Sequence, residues 1–139
     1  MYRNGLHFVL LIALVSILGS LYFSDVKGYP PCVLCWYQRI FMYSLVPICI
    51  VGLFRGDRKI YHYVVPLATL GWGIALYHVL LYIGFIKNEE LCSAGISCTS
   101  RYVEYFGFVT IPLMSFTSFS LILLCCVLYR RWYRKMLQS

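Results

Sequence analysis

Apolar residues run on in four long blocks along this chain, roughly Leu6–Phe23, Cys35–Phe54, Tyr63–Phe85 and Val109–Tyr129, separated by short polar connections. At a helical rise of 1.5 Å per residue, each block is long enough, or nearly so, to cross a hydrocarbon core of about 30 Å. The pattern predicts an all-α membrane protein, a bundle of four transmembrane helices. Little lies outside the blocks, so residues 1–139 are expected to form one four-helix membrane domain. The first block follows Met1-Tyr2-Arg3 and resembles a signal peptide. Leu18-Gly19-Ser20 is a poor cleavage site, however, and apolar character continues through Phe23, so an uncleaved first helix is expected.

Composition agrees with the blocks. Of 139 residues 61% are hydrophobic and 12% charged, whereas a soluble domain carries about a quarter charged residues. The formal net charge of +7 raises the question of nucleic acid, but the placement of the cations answers it. Arg3, Arg55, Arg58, Lys59, Arg130, Arg131, Arg134 and Lys135 share one side in a four-crossing arrangement. Lys27, Lys87 and Arg101 lie on the other, with Asp25, Glu89, Glu90 and Glu104. By the positive-inside rule both termini are cytoplasmic. The charge is a topology signal, and no nucleic-acid partner is expected.

The chain then reads as two hairpins joined by a short cytoplasmic turn. Pro30-Pro31 stiffens the approach to a helix start, and Pro47 and Pro66 fall inside helices two and three. Gly71-Trp72-Gly73 offers small residues for close helix approach. In the second outer loop, Tyr102, Val103 and Phe106 would share one face of a short helix lying in the interface; an unstructured aromatic belt is the alternative.

Each outer loop carries two cysteines. Cys32 and Cys35 close the first as Cys-x-x-Cys, and Cys92 and Cys98 lie in the second, the side on which disulfides persist. A helix start holds the Cα atoms of the first pair roughly 5 Å apart, within disulfide range, and its partial positive charge favours a thiolate. Loop two is long enough for its pair to reach the first, so thiol–disulfide exchange can link them as an electron relay. Structural staples and a zinc site compete with this reading, though Cys-x5-Cys separated from the first pair by two helices is not zinc-ribbon spacing. Cys49, Cys125 and Cys126 fall inside helices and are expected to be inert.

Arg39 lies one turn from Cys35, and an intramembrane cation is a functional-site hypothesis by default; a snorkelling interfacial arginine is the alternative. His78 falls at similar depth on helix three. Together they can supply two donors to a polar head, such as a quinone carbonyl, beside Cys35.

Pro31-Cys32-Val33-Leu34-Cys35-Trp36-Tyr37-Gln38-Arg39 resembles the signature of the DsbB family of membrane thiol oxidases, closest to its short four-helix BdbC type. The likeness extends to Tyr77-His78 and to Phe106-Gly107-Phe108-Val109-Thr110-Ile111-Pro112. It implies a multi-pass protein of the bacterial cytoplasmic membrane that passes electrons from an extracytoplasmic thioredoxin-like thiol-disulfide oxidase to the membrane quinone pool, menaquinone or ubiquinone. By the resemblance, Cys32 and Cys35 are the quinone-proximal pair and Cys92 and Cys98 the partner-facing pair. Arg39 stabilises negative charge near Cys35, and His78 matches a quinone-linked histidine. The second pair is more closely spaced here, with five residues between its cysteines, than in the best-known members. The rivals are a vitamin K epoxide reductase-like quinone/thiol enzyme and a non-catalytic scaffold with structural disulfides.

Overall fold

The computed structural model describes residues 2–28, 33–85 and 111–139, with the side chains of Tyr2 and Ile111 outside the description. Four α-helices occupy them: α1 (Tyr2–Leu21), α2 (Val33–Arg55), α3 (Tyr61–Ile83) and α4 (Ile111–Gln138). All four are long and apolar enough to cross a membrane. No strand occurs among the described residues. The expected interfacial helix around Tyr102–Phe106 lies outside them.

Helix ends follow backbone chemistry rather than hydropathy. The third apolar block runs on to Phe85, yet α3 stops at Ile83 because Gly84 adopts the left-handed conformation (φ 87°). There Gly84 N–H donates to Leu81 O at 3.1 Å and Phe85 N–H to Leu80 O at 3.0 Å, which satisfies carbonyls the helix leaves open. Between α2 and α3, Asp57 Oδ1 accepts from Lys59 N–H at 2.9 Å and starts a single 3-10 turn, Arg58–Ile60. α1 widens at its end into a π-helical turn, Tyr22–Val26, closed by Lys27 N–H donating to Tyr22 O at 3.2 Å. α4 continues past the apolar block through Arg130, Arg131, Arg134 and Lys135 to Gln138. Nothing in that cationic stretch breaks a helix, and water can solvate its charges.

The helices form a ring: α1 and α3 each pack on both α2 and α4. Contacts along the ring run antiparallel, as when Tyr61 stacks on Tyr129 and Gly71 receives Phe119. The interior is built from Leu6, Val9 and Ala13; Met42, Leu45 and Cys49; Val64, Ala68 and Ala75; and Phe119, Ile122 and Cys126. Each set recurs at intervals of three, four or seven residues, one stripe of a helix. The outward faces are equally apolar, with Phe8, Leu11, Val15 and Leu18 exposed on α1 alone. Lipid tails are as apolar as such side chains, so packing contact and interhelical hydrogen bonds must hold the ring together. Gly71 lets α4 approach closely; a Cβ there would fall 2.3 Å from Phe119 Cε1. Gly73, by contrast, meets nothing within 4 Å, so only the first glycine of Gly71-Trp72-Gly73 serves close approach. Ser16 Oγ pairs with Ser118 Oγ at 2.9 Å, and Trp72 Nε1–H donates to Ser120 Oγ at 3.0 Å.

Candidate active site

α2 begins at Val33, so Cys35 sits in its first turn, where backbone N–H groups lack intrahelical acceptors and carry partial positive charge. Cys35 is half-buried and packs on the small cluster of Leu34 and Leu81, against which Ile74 and Tyr77 of α3 also pack. Cys32, Cys92 and Cys98 lie outside the described residues.

One turn further along α2, two neighbouring side chains leave in different directions. Gln38 and His78 are 3% and 1% exposed, among the most deeply buried polar groups in the bundle. They meet across the α2–α3 interface, with Gln38 Nε2 3.2 Å from His78 Nδ1. Arg39 reaches the opposite neighbour, α1. Its Nε–H donates to Ser20 Oγ at 2.8 Å and its Nη2 to Ser20 O at 2.9 Å. Trp36 lies 5.7 Å from the guanidinium, within cation–π range. Cys35 stands three residues before Gln38 and four before Arg39, so its thiol lies over the gap between the two arms.

Arg39 and His78 are thus both held at the Cys35 end of the bundle, but by different neighbouring helices. Ser20 belongs to the last turn of α1, where open carbonyls favour a cation, and the π-helical turn begins just beyond it. Neither Ser20 nor Gln38 is among the candidate site residues that the sequence suggests. Gln38 had a signal, being a polar amide inside an apolar block at helical spacing from Cys35. Ser20 had none until its partner was known.

The donor set fits a planar, dicarbonyl head group. A guanidinium offers five N–H donors, two of which go to Ser20, and an imidazole offers one more when neutral. Arg39 lies one turn from Cys35 along α2, and His78 meets Gln38, which lies three residues from that thiol's position. An interhelical hydrogen bond in a membrane contributes only about 0.6–2 kcal/mol, so stability alone is a poor reason to bury Gln38 and His78. Among the described residues no group of three His, Cys, Asp or Glu side chains is placed to hold a metal. The remaining cysteines are elsewhere: Cys49 and Cys126 are buried in the main core and Cys125 packs against it. An open apolar groove of about 460 Å³ between α2 and α3, lined by Pro47, Val51, Tyr63 and Pro66, also lies towards the other end.

The chain is similar to known disulfide bond formation proteins. Residues 2–129 match the family model described as Disulfide bond formation protein DsbB. Disulfide bond formation protein C of Bacillus subtilis (strain 168) is 41% identical over 114 residues, covering 81% of this chain and 83% of the relative. A probable disulfide formation protein C of Halalkalibacterium halodurans is 41% identical over 122 residues, covering 87% and 89%. A probable disulfide formation protein of Metapseudomonas resinovorans is 37% identical over 123 residues, covering 87% and 85%. No solved structure matches the chain. With four membrane-length helices and a match over nearly its whole length, the chain belongs to the DsbB family of disulfide bond formation proteins, multi-pass oxidoreductases of bacterial membranes.

Proposed function

We propose that this chain is a thiol:quinone oxidoreductase that reoxidises an extracytoplasmic thioredoxin-like thiol oxidase. The observation that carries the reading is Cys35 in the first turn of α2, flanked by Arg39 and by the buried Gln38–His78 pair. The partner's thiolate attacks the Cys92–Cys98 disulfide, and its second thiol displaces the mixed disulfide. The partner leaves oxidised, and Cys92 and Cys98 hold the electron pair as thiols. Exchange with the Cys32–Cys35 disulfide moves that pair inward and restores Cys92–Cys98. Cys35 stands in the first turn of α2, where the partial positive charge of the helix N-terminus meets the reacting sulfur. Arg39 holds negative charge beside it, and its fork is kept in place by Ser20. His78 supplies a hydrogen bond from α3, and the apolar walls exclude water. When bound, a quinone supplies an acceptor for two electrons and two protons, which re-forms the Cys32–Cys35 disulfide.

The deciding experiment is reoxidation of a reduced thioredoxin-like partner by the purified protein, with menaquinone, with ubiquinone and with neither. Sustained turnover is expected only with quinone; turnover indifferent to quinone sinks the reading. The topology has its own test. A membrane-impermeant thiol reagent should label Cys32, Cys35, Cys92 and Cys98 in intact cells after reduction, and labelling that requires permeabilisation overturns it.

A further inference from the structure

We propose that Gln38 is a positioning residue that holds His78 as the tautomer protonated on Nε2, so that His78 is a hydrogen-bond donor beside Cys35 rather than an acceptor. The inference rests on the function proposed above and names a part of that site which the chemistry of Cys35 and Arg39 does not supply.

A neutral imidazole has one donor and one acceptor nitrogen, and the partner at one decides the character of the other. His78 is 1% exposed on α3, and Gln38, 3% exposed on α2, brings Nε2 to 3.2 Å from His78 Nδ1. In this orientation the amide N–H donates to the Nδ1 lone pair, which places the ring proton on Nε2. The amide is neutral, so it fixes the tautomer without adding a charge to a buried site. A carboxylate of the same length would do the reverse, accepting a proton from Nδ1. Gln38 lies three residues beyond Cys35, and Tyr77, next to His78, packs in the same small cluster as Cys35. The tautomer is therefore set within one helical turn of the thiol. Arg39 cannot make this choice, because its guanidinium is engaged with Ser20 on the other side of α2.

The test uses the full-length protein, labelled with ¹⁵N-histidine and held in lipid nanodiscs, with the His78 resonances assigned by their loss in His78→Gln. The wild type should show Nε2 protonated and Nδ1 bare. Gln38→Glu should move the proton to Nδ1 or protonate both nitrogens, and Gln38→Met, which keeps the length but neither donor nor acceptor, should give a mixture. Reoxidation of Cys32 and Cys35 by added quinone should slow about tenfold in both variants, as expected for one misdirected hydrogen bond. A wild-type spectrum with Nδ1 protonated overturns the proposal whether or not any variant folds. So does a tautomer indifferent to Gln38→Glu and Gln38→Met, or a tautomer that moves while the quinone-dependent step does not. Absence of quinone-dependent turnover in the wild type refutes the proposed function instead, and the spectra still decide what Gln38 does to His78.

Discussion

At the Cys35 end of the bundle, Gln38 and His78 meet inside the membrane and Arg39 is tied to Ser20. At the opposite end, Tyr61 stacks on Tyr129 at 4.3 Å and Arg58 lies 5.7 Å over the ring of Tyr133. The second end needs no buried polar partner for its cations, because Arg58 is exposed and can keep its water. Its ordering comes from stacked rings and from close contacts such as Ile60 and Leu6 against Gly52. The first end carries polar groups where they contribute little to stability. Packing is concentrated in the middle and at the basic end, whereas the groups suited to chemistry gather at the end with Cys35. Substitutions at the two ends should therefore separate activity from stability.

The thiols give the widest separation. Cys35→Ser should abolish sustained turnover and leave the thermal midpoint close to wild type, since the side chain is half-buried and barely changed in size. Replacing Cys49, Cys125 and Cys126 together with Ala should do the opposite, lowering the midpoint while disulfide generation persists. A Cys92→Ser, Cys98→Ser protein that still turned over partner at the normal rate would break the relay outright.

Next in size is Arg39. A charge-assisted hydrogen bond is worth about 1.5–3 kcal/mol, so Arg39→Met should raise the apparent quinone KM by about tenfold or more. Arg39→Lys should also raise it, because the planar fork is lost. Ser20→Ala removes one of two acceptors holding the fork, at about 0.5–1.5 kcal/mol, and should raise KM by a few-fold. Steady-state kinetics against quinone concentration reads all three, and wild-type kinetics in Arg39→Met would return that residue to a snorkelling role.

Gly71→Val tests the middle of the bundle. The new side chain would collide with Phe119, and overpacking of this kind costs about 1–3 kcal/mol. Thermal unfolding in detergent should show the loss, while quinone KM in the surviving folded fraction stays unchanged. The smallest effect belongs to the basic end. Tyr133→Leu removes the ring beneath Arg58, an exposed cation–π contact of about 0.5–1 kcal/mol. Turnover should not change, and a large loss of activity there would blur the division between the ends.

Four spans, the order of the helices and the rank of Cys35 and Arg39 as candidates were legible along the chain, because length and apolarity are local properties that a membrane demands of each segment alone. Cysteine spacing and a cation inside an apolar block are local in the same way. Helix ends were less legible: Gly84 stops α3 inside a stretch that hydropathy treats as continuous, and α4 runs on through charges that hydropathy excludes. The core stripe was hidden for a different reason. In water an inward face stands out by contrast with a polar outer one, but here lipid makes both faces apolar, and only packing distinguishes Leu6, Val9 and Ala13 from Phe8, Leu11 and Val15.

Chain order by itself determined that Cys35, Gln38 and Arg39 share one end of one helix. Tertiary structure alone decided that Gln38 faces His78, forty positions away, and that Arg39 turns to Ser20 on the other side. Helical periodicity gives the angle between neighbouring side chains. Which helix stands at each angle depends on how all four pack, and no single segment carries that information.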